Sequence, residues 1–213
     1  MLIAHRGNDN HNYKENSEEG IIFSLSKSYI DGIECDIRLT KDNEIVLSHN
    51  TLIDFKSNGS GFIHDLTLDE LLSYKFNNGE IPVLKKLLSK IQTDKILLLE
   101  IKEEREKMEE KWIKSLEDIL KKYPYLNIYL CSFNYKLISK IKETIKVPIG
   151  IIIGYKMNKE KDIKPFDFVM YQYKSFIYSH KETFIWTVNT KDIFNKYKNK
   201  AKYIITDKAY EFV

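Results

Sequence analysis

The sequence predicts an α/β protein of the (β/α)8 TIM-barrel class, with a small insertion after the second strand. Short apolar, strand-like segments recur along the chain, and helix-like segments separate them. Most of the strand-like segments are continuously apolar, which is typical of parallel strands that are covered on both faces. Eight strands that alternate with helices favour a barrel, and a doubly wound open sheet is the alternative. With 213 residues, the barrel is small against the typical length of about 250 residues.

The elements follow one another in a regular order. The predicted strands occupy residues 2–5, 32–37, 95–101, 127–133, 148–154, 167–172, 183–189 and 203–207. The predicted helices occupy residues 17–28, 104–122, 134–144 and 190–198, with Ser17, Asn134 and Thr190 as N-cap residues of three of them. Segment 155–182 has the weakest pattern and leaves room only for short or irregular helices.

Residues 44–91 interrupt this order. We expect "EIVLSHN" (44–50) to extend the second strand, and "SNGSGF" (57–62) to form a turn because of its Gly, Ser and Asn content. Two short helices follow, the first capped by Thr67 and the second with Pro82 in its first turn. We therefore expect one domain, residues 1–213, with a small excursion at about residues 51–80.

Composition excludes several classes of protein. The formal charge is only +3, and basic residues are mixed with acidic ones, so no nucleic-acid-binding surface is predicted. No apolar stretch approaches the roughly 20 residues that span a bilayer, and the N-terminus reaches His5 and Arg6 too early for a signal peptide. We expect a cytoplasmic protein without stable membrane association.

Cys35 and Cys131 lie in apolar runs and are predicted to be buried thiols. The sequence does not indicate an oligomeric state.

Acidic residues occupy alternate positions inside two of the predicted strands. Glu34 and Asp36 therefore share one face of a strand, and Glu100 and Lys102 repeat the arrangement at the end of the next barrel strand. Such pairs also occur on solvated strand faces, and Lys102 could simply pair with Glu100. Buried carboxylates, however, need a partner or a metal. Oxygen ligands favour one divalent cation, Mg²⁺, Ca²⁺ or Mn²⁺.

Two histidines also stand at strand ends. His5 follows the first strand and His49 ends "EIVLSH", and each could act as a general acid or base or be structural. With the three acids, they favour phosphoryl chemistry in which Arg6 and Lys102 hold phosphate oxygens. The remaining histidines, His11, His64 and His180, lie in polar loops and are predicted to be solvated, without a role.

These motifs, taken in order, resemble the glycerophosphodiester phosphodiesterases. The resemblance is carried by "AHRG", "ENS", "ECDIRLTKDNEIVLSHN", "SNGSGFIHDLTLDEL", "IPVLKKLL", "LLLEIK", "WTVN" and "ITD", with "CSFN" as a weaker match. The family fold is a TIM barrel with a small insertion after the second strand. The family reaction hydrolyses a glycerol phosphodiester to glycerol phosphate and an alcohol, by attack of a neighbouring glycerol hydroxyl that forms a cyclic phosphate.

The resemblance implies roles position by position. It implies His5 and His49 as the acid–base pair, Glu34, Asp36 and Glu100 as metal ligands, Arg6 and Lys102 as phosphate contacts, Glu15 and Asn16 as residues that border the site, Trp186 as part of the substrate wall, and Asn189 and Asp207 at the rim. Trp186 could equally fill the barrel. The chain departs from the family pattern at Asn50, where an aspartate commonly follows the histidine, and at Lys14 and Ser17.

The expected substrate is a small phosphodiester, and two other functions stay open. One is a lyase that acts on phospholipid headgroups and forms a cyclic phosphate, which would require an apolar groove at the barrel mouth. The other is a barrel without catalytic activity that binds a phosphate ester, for which the Asn50 replacement is the main argument.

Overall fold

The computed structural model describes residues 1–9, 13–77, 79–103, 105–154 and 163–213. Its strands are β1 (Leu2–Ala4), β2 (Gly32–Leu39), β3 (Ile45–Leu47), β4 (Ile96–Ile101), β5 (Asn127–Ser132), β6 (Ile149–Ile153), β7 (Phe168–Gln172), β8 (Glu182–Trp186) and β9 (Tyr203–Thr206). Its α-helices, labelled in chain order, are α1 (Glu18–Leu25), α2 (Leu68–Ser73), α3 (Leu84–Leu88), α4 (Glu109–Lys122), α5 (Tyr135–Thr144) and α6 (Lys191–Tyr197).

Eight of these strands form a closed parallel barrel. Around the barrel, the strand order is β1-β9-β8-β7-β6-β5-β4-β2, and β1 closes it by pairing with both β9 and β2. This closure confirms the predicted TIM barrel and rules out the open sheet. Because all eight strands run in parallel, their carboxyl ends lie at one end of the barrel, where such folds place their functional residues.

Strand side chains alternate between two apolar layers. Apolar residues that face the barrel axis include Ile3, Leu98, Cys131, Ile152, Phe168, Met170, Phe184, Tyr203 and Ile205. The residues next to them along the strands point outward and pack against the helices. Trp112 of α4 and Ile138 of α5 belong to this outer layer. Cys35 and Cys131 are buried and unbridged, as predicted. The strands thus bury both faces, which explains why their sequences are continuously apolar.

The three predicted barrel-helix caps are correct. The side chains of Ser17, Asn134 and Thr190 each accept a hydrogen bond from a backbone N–H in the first turn of the following helix. In α2, Thr67 and Glu70 form a reciprocal capping box.

Two predictions about residues 44–91 are wrong. "EIVLSHN" does not extend β2. The chain reverses at residues 40–44, and β3 pairs antiparallel with β2, so that Leu47 lies opposite Ile37. Pro82 lies before α3 rather than in its first turn, and its carbonyl accepts a hydrogen bond from Leu47 N. The segment that follows β3 packs on a small apolar cluster of its own, formed by Val46, Ile53, Ile63, Leu71, Ile81 and Val83.

The predicted weak segment 155–182 is only partly described, since residues 155–162 lie outside the described residues. Its described part contains β7 and a short 3-10 helix, Tyr173–Ser175. Across the described ranges, we find no helix that combines the length and the apolar character needed to cross a membrane.

Candidate active site

Three carboxylates meet inside the barrel near the carboxyl ends of β2 and β4. The side chains of Glu34, Asp36 and Glu100 each offer an oxygen, and these oxygens lie within 4.8 Å of one another. The residues are 1%, 1% and 5% exposed. Their neighbouring positions arise because β2 and β4 pair in register, with Asp36 opposite Glu100. The structure therefore brings together the three acids that the sequence places on two strands.

Cationic side chains surround these acids. Lys102 Nζ lies 2.6 Å from Glu100 Oε1 and 3.1 Å from Asp36 Oδ1, and Arg6 Nε lies 3.5 Å from Asp36 Oδ2. The backbone N–H of Arg6 donates to Glu34 Oε2 at 2.9 Å. Arg6 and Lys102, both predicted phosphate contacts, thus stand directly beside the acidic cluster.

A sharp bend after β1 brings Arg6 to this position. Arg6 and Gly7 both adopt positive φ angles, 53° and 66°, a conformation that costs little only for glycine. At Gly7, an added Cβ would lie 2.2 Å from Ile21 Cγ1, so the bend also requires the absence of a side chain there. The "HRG" motif is therefore explained by a backbone turn that points the Arg6 N–H at Glu34.

Asn16 holds Asp36 through two hydrogen bonds. Its Nδ2 donates to Asp36 Oδ2 at 2.8 Å, and its Oδ1 accepts from the backbone N–H of Asp36 at 2.9 Å. The preceding residue, Glu15, forms ion pairs with Arg6 Nη1 and with Lys56 Nζ of the insertion. Sequence reasoning missed Lys56, which lies 41 positions from Glu15 and belongs to no recognisable motif.

The His5 ring is oriented by Asp207, which follows β9. Its Nδ1 lies 2.7 Å from Asp207 Oδ1, and Asp207 Oδ2 accepts a hydrogen bond from Asn189 Nδ2 at 2.6 Å. Its Nε2 lies 4.0 Å from Glu34 Oε2. Burial opposes protonation of His5, but the hydrogen bond to Asp207 and the charge of Glu34 outweigh burial and raise its pKa. Asp207 and Asn189, expected at the rim, therefore contact the site directly or through one neighbour.

His49 has a different environment. Its Nδ1 lies 3.1 Å from Asn50 Oδ1, and its backbone carbonyl accepts a hydrogen bond from Arg38 Nη2 at 2.7 Å. Arg38 Nη1 also donates to the carbonyl of Lys102 at 2.6 Å, so Arg38 ties together two segments that carry predicted site residues. Burial lowers the pKa of His49. The two predicted acid–base residues therefore differ, since His5 favours the cation and His49 the neutral ring.

An aromatic pair stands on the other side of Lys102. The rings of Trp186 and Phe133 meet edge to face with centroids 5.8 Å apart, and Lys102 Nζ lies 5.8 Å from the Phe133 centroid. Trp186 ends β8 and packs against the apolar residues inside the barrel, so both expectations for this residue, a wall and a barrel filler, are consistent with its position. Phe133, within the "CSFN" motif, was not predicted as a site residue.

The acid set is chemically suited to a hard divalent cation. Burial, followed by the negative charge of Asp36, raises the pKa of Glu34 to about 8, and burial also raises the pKa of Glu100. The pKa of Asp36 is lowered, because Lys102 and Arg6 outweigh the effect of burial. Three oxygen ligands in one buried cluster match the preferences of Mg²⁺, Mn²⁺ and Ca²⁺.

Of the three remaining histidines, the structure describes His64 and His180. His180 is exposed in the loop before β8, as predicted, and His11 lies outside the described residues. His64 is less solvated than predicted, because its side chain is 25% exposed and its ring stacks on Phe62 with centroids 5.1 Å apart. The aromatic residue two positions earlier in "GFIHD" is a weak signal that could have indicated this packing.

Comparisons with known proteins agree with this geometry. The family model described as "Glycerophosphoryl diester phosphodiesterase family" matches residues 5–209. A glycerophosphodiester phosphodiesterase of Caldanaerobacter subterraneus subsp. tengcongensis is 32% identical over 156 residues, which cover 67% of this chain and 62% of that protein. Glycerophosphodiester phosphodiesterase 1 of Mus musculus is 28% identical over 155 residues, 67% of this chain and 45% of that protein. The matches thus span less than two thirds of the length of these curated relatives.

Solved structures share the fold at low sequence identity. A phosphodiesterase of Oleispira antarctica, in complex with the product sn-glycerol-3-phosphate, has a TM-score of 0.84 and 19% identity, with 99% of this chain and 94% of that chain covered. A glycerophosphodiester phosphodiesterase of Thermotoga maritima has a TM-score of 0.80 and 22% identity, with 100% of this chain and 96% of that chain covered.

Proposed function

Because this chain belongs to the glycerophosphoryl diester phosphodiesterase family, we propose that it hydrolyses a glycerophosphodiester to glycerol phosphate and an alcohol. The observation that carries the proposal is the buried cluster of Glu34, Asp36 and Glu100, with Arg6 and Lys102 against it and His5 beside it. A protein that only binds a phosphate ester has no need to bury three carboxylates there, since they repel the anion. The product held by the Oleispira antarctica relative supports glycerol phosphate as the product here.

Glu34, Asp36 and Glu100 would hold one divalent cation, and activity would depend on it. When bound, such an ion polarises a phosphoryl oxygen and offsets the charge that develops in the transition state. The raised pKa of Glu34 supports this role, because the ionised form of a buried carboxylate is stabilised most by a neighbouring cation. Asn16, through its two hydrogen bonds to Asp36, would keep that ligand in one orientation.

Arg6 and Lys102 would bind the phosphate of the substrate. Arg6 is well suited to this role because Glu15 holds one edge of its guanidinium, and Lys56 in turn holds Glu15. A side chain fixed on one edge loses less conformational entropy when the other edge binds an oxyanion. Glu15 and Asn16 would thus border the site as positioning residues, and Trp186 would form part of the wall that contacts the organic portion of the diester.

The two histidines would divide the proton transfers. His49, whose lowered pKa favours the neutral ring, would take the proton from the attacking hydroxyl. His5, which Asp207 holds by a hydrogen bond to Nδ1, would present a protonated Nε2 to the leaving oxygen. Environments that push the pKa values of two groups apart are typical of a base and an acid that work together. A neighbouring glycerol hydroxyl would be the nucleophile, and water would then open the cyclic phosphate with the two roles exchanged.

Release of glycerol 3-phosphate from glycerophosphocholine, glycerophosphoethanolamine and glycerophosphoglycerol tests the proposal. We expect turnover that EDTA abolishes and that Mg²⁺, Mn²⁺ or Ca²⁺ restores. The His49→Ala variant should lose turnover but still bind Mn²⁺, which separates an enzyme from a binding protein. Mn²⁺ binding by the unmodified chain without turnover of any diester would contradict the proposed reaction.

A further inference from the structure

A small cavity lies between the insertion, the end of β3 and the N-terminal end of α1. It has a volume of about 40 Å³, and its wall includes Ser17, Leu47 and Lys56. A single water needs about 10–15 Å³ of such space, so the cavity has room for a group the size of about three or four waters.

Three residues of the cavity wall also belong to the candidate active site. They are His49, Glu15 and Asn16. Glu15 forms an ion pair with Arg6, and Asn16 Nδ2 donates to Asp36 Oδ2 at 2.8 Å. A group in the cavity would therefore stand beside the proposed base, next to residues that hold a proposed phosphate contact and a proposed metal ligand.

Apolar side chains form much of the wall. They come from β3, from the insertion and from the segment before α3, and they are Leu47, Leu52, Ile53, Phe76, Ile81 and Pro82. Such side chains pack against the carbon atoms of a small ligand, while a few polar groups fix its orientation.

Glu80 carries a carboxylate that is free to bind a ligand. The two other charged groups of the wall that lie near it in the cavity, Lys56 and Glu15, are paired with each other. Glu80 is exposed, and in the part of the chain that the structure describes no hydrogen bond or ion pair occupies its carboxylate. A carboxylate accepts hydrogen bonds from hydroxyl groups, and its charge strengthens them.

The backbone on both sides of Glu80 is tied to the rest of the insertion. Phe76 forms isolated antiparallel bridges with Ser57 and with Gly79, and Gly79 N donates to the Phe76 carbonyl at 3.2 Å. On the other side, Ile81 is only 5% exposed and belongs to the apolar cluster of the insertion. Glu80 is therefore set between two anchored positions beside the cavity.

The proposed chemistry decides which end of the diester lies there. A general base must come within about 2.6–3.2 Å of the group whose proton it takes. In the proposed reaction, His49 takes the proton of the attacking hydroxyl, and this hydroxyl belongs to the glycerol. The rest of the glycerol, its last carbon and terminal hydroxyl, should therefore continue beside His49, whereas the alcohol leaves on the side of His5.

We propose that this cavity holds the glycerol end of the diester and that Glu80 accepts a hydrogen bond from its terminal hydroxyl. The inference rests on the proposed function and names the residue by which the insertion recognises that substrate. Glu80 would favour glycerol over a shorter diol that still carries the attacking hydroxyl.

Three diesters test which end of the substrate Glu80 contacts. Glycerophosphocholine is the reference. Hydroxyethyl phosphocholine keeps the attacking hydroxyl and the choline but lacks the last carbon and terminal hydroxyl of glycerol, and glycerophosphoethanol keeps the glycerol but replaces choline with ethanol. We expect kcat/KM for glycerophosphocholine to exceed that for hydroxyethyl phosphocholine by about tenfold or more, as one hydrogen bond to a charged group allows.

Substitution of Glu80 attributes this ratio to the cavity. Glu80→Ala removes the acceptor and should reduce the ratio about tenfold, whereas Glu80→Gln keeps a neutral acceptor and should reduce it less. Neither variant should alter the ratio between glycerophosphocholine and glycerophosphoethanol. Glu110→Ala removes the same side chain from an exposed position on α4 and should leave both ratios unchanged.

Two results would overturn the inference and leave the proposed reaction intact. One is a ratio of glycerophosphocholine to hydroxyethyl phosphocholine that is near one, or that Glu80→Ala changes no more than the control does. The other is an effect of Glu80→Ala on the ratio between the choline and ethanol diesters, which would place the alcohol in the cavity.

Binding measurements keep the two proposals separate. With Mn²⁺ present, titration calorimetry compares glycerol 3-phosphate with hydroxyethyl phosphate, which lacks the last carbon and terminal hydroxyl. We expect glycerol 3-phosphate to bind about tenfold more tightly and Glu80→Ala to remove the difference. If no diester is hydrolysed, the proposed reaction fails, but these Kd values still test the cavity. Equal Kd values for the two ligands, or absence of binding, would overturn the inference.

Discussion

Nδ1 of His5 lies 2.7 Å from Oδ1 of Asp207, although 202 positions separate the two residues. The contact exists because β1 pairs with β9 and closes the barrel, so the residues that follow these two strands stand side by side. A carboxylate that is hydrogen-bonded to one ring nitrogen of a histidine fixes the tautomer of the ring and the direction in which the other nitrogen points. We therefore expect Asp207 to act as a positioning residue for His5.

The Asp207→Asn substitution tests this role. An amide can keep a hydrogen bond but cannot stabilise the imidazolium, so kcat should fall on the order of 10- to 100-fold, as for the loss of other supporting partners, with a smaller change in KM. Steady-state kinetics measure both, and ¹⁵N chemical shifts of the His5 ring should report its altered protonation. Asp192→Asn, on the exposed face of α6, is the matched control. Equal kcat in the two variants would exclude a role for Asp207.

The Asp36→Asn substitution tests the cation site. Loss of one of the three proposed carboxylate ligands should raise the Kd for Mn²⁺ by at least about 100-fold, more than an outer-shell change costs. Titration calorimetry with Mn²⁺ gives the Kd without reference to turnover. The control is Asp118→Asn on the surface of α4, which should bind Mn²⁺ like the unmodified chain. Unaltered affinity in Asp36→Asn would place the cation elsewhere.

The Asn50→Asp substitution restores the residue that is common in the family. A carboxylate at Nδ1 of His49, where Asn50 Oδ1 now lies at 3.1 Å, would stabilise the cation and raise the pKa of His49 by about one unit or more. Because the proposed base must be neutral, the acid limb of the pH profile of kcat/KM should move to higher pH by that amount. Asn58→Asp controls for the added charge, since the Asn58 side chain is exposed on the insertion and accepts a hydrogen bond from Lys75 N there. An unshifted acid limb would show that His49 does not control it.

We expect Glu103 to make the stability of the fold depend on pH. Burial opposes its ionisation, but hydrogen bonds from Arg105 and Trp112 outweigh burial and lower its pKa below the usual value. The contribution of Glu103 to the free energy of unfolding should therefore be complete above about pH 4.5, the usual pKa of a glutamate. It should be lost as the pH falls through the lower pKa of the folded state. Glu103→Gln should have a lower Tm at neutral pH and a smaller loss of Tm on acidification, measured by calorimetry. Exposed Glu106→Gln should behave like the unmodified chain, and parallel Tm curves for Glu103→Gln and the unmodified chain would contradict this account.

Gly150 and Gly154 form a matched pair at β6. At Gly150 a Cβ would lie 2.2 Å from Cε2 of Phe168 inside the barrel, whereas at Gly154 its nearest contact is an ordinary 3.7 Å to Phe133. Gly150→Ala should lower the free energy of unfolding by about 1–3 kcal/mol, and Gly154→Ala should change it by no more than about 0.5 kcal/mol. Urea denaturation measures both. Equal effects would show that the barrel interior at Phe168 can repack.

Local patterns were sufficient for much of the fold. The continuously apolar strands and the caps at Ser17, Asn134 and Thr190 are confirmed, because each depends on residues close together in the chain. The barrel class is confirmed as well, although the order of strands and helices only favoured it and the pairing of β1 with β9 decided against the open sheet. The reversal into β3 was missed, since an apolar segment reads alike whether it extends a strand or returns beside it. That residues 1–213 form one domain stays a prediction, as do the roles assigned to the site residues.

By itself, the sequence determined which side chains share a face, since alternation along a strand places Glu34 with Asp36 and Glu100 with Lys102. Tertiary structure alone decided which distant groups complete the site. Barrel closure brings Asp207 to His5, and the fold of the insertion brings Lys56 to Glu15 and His64 toward Arg105. The physical reason is that side-chain alternation is a property of each strand, whereas these contacts depend on how strands and loops that are distant in the chain pack together.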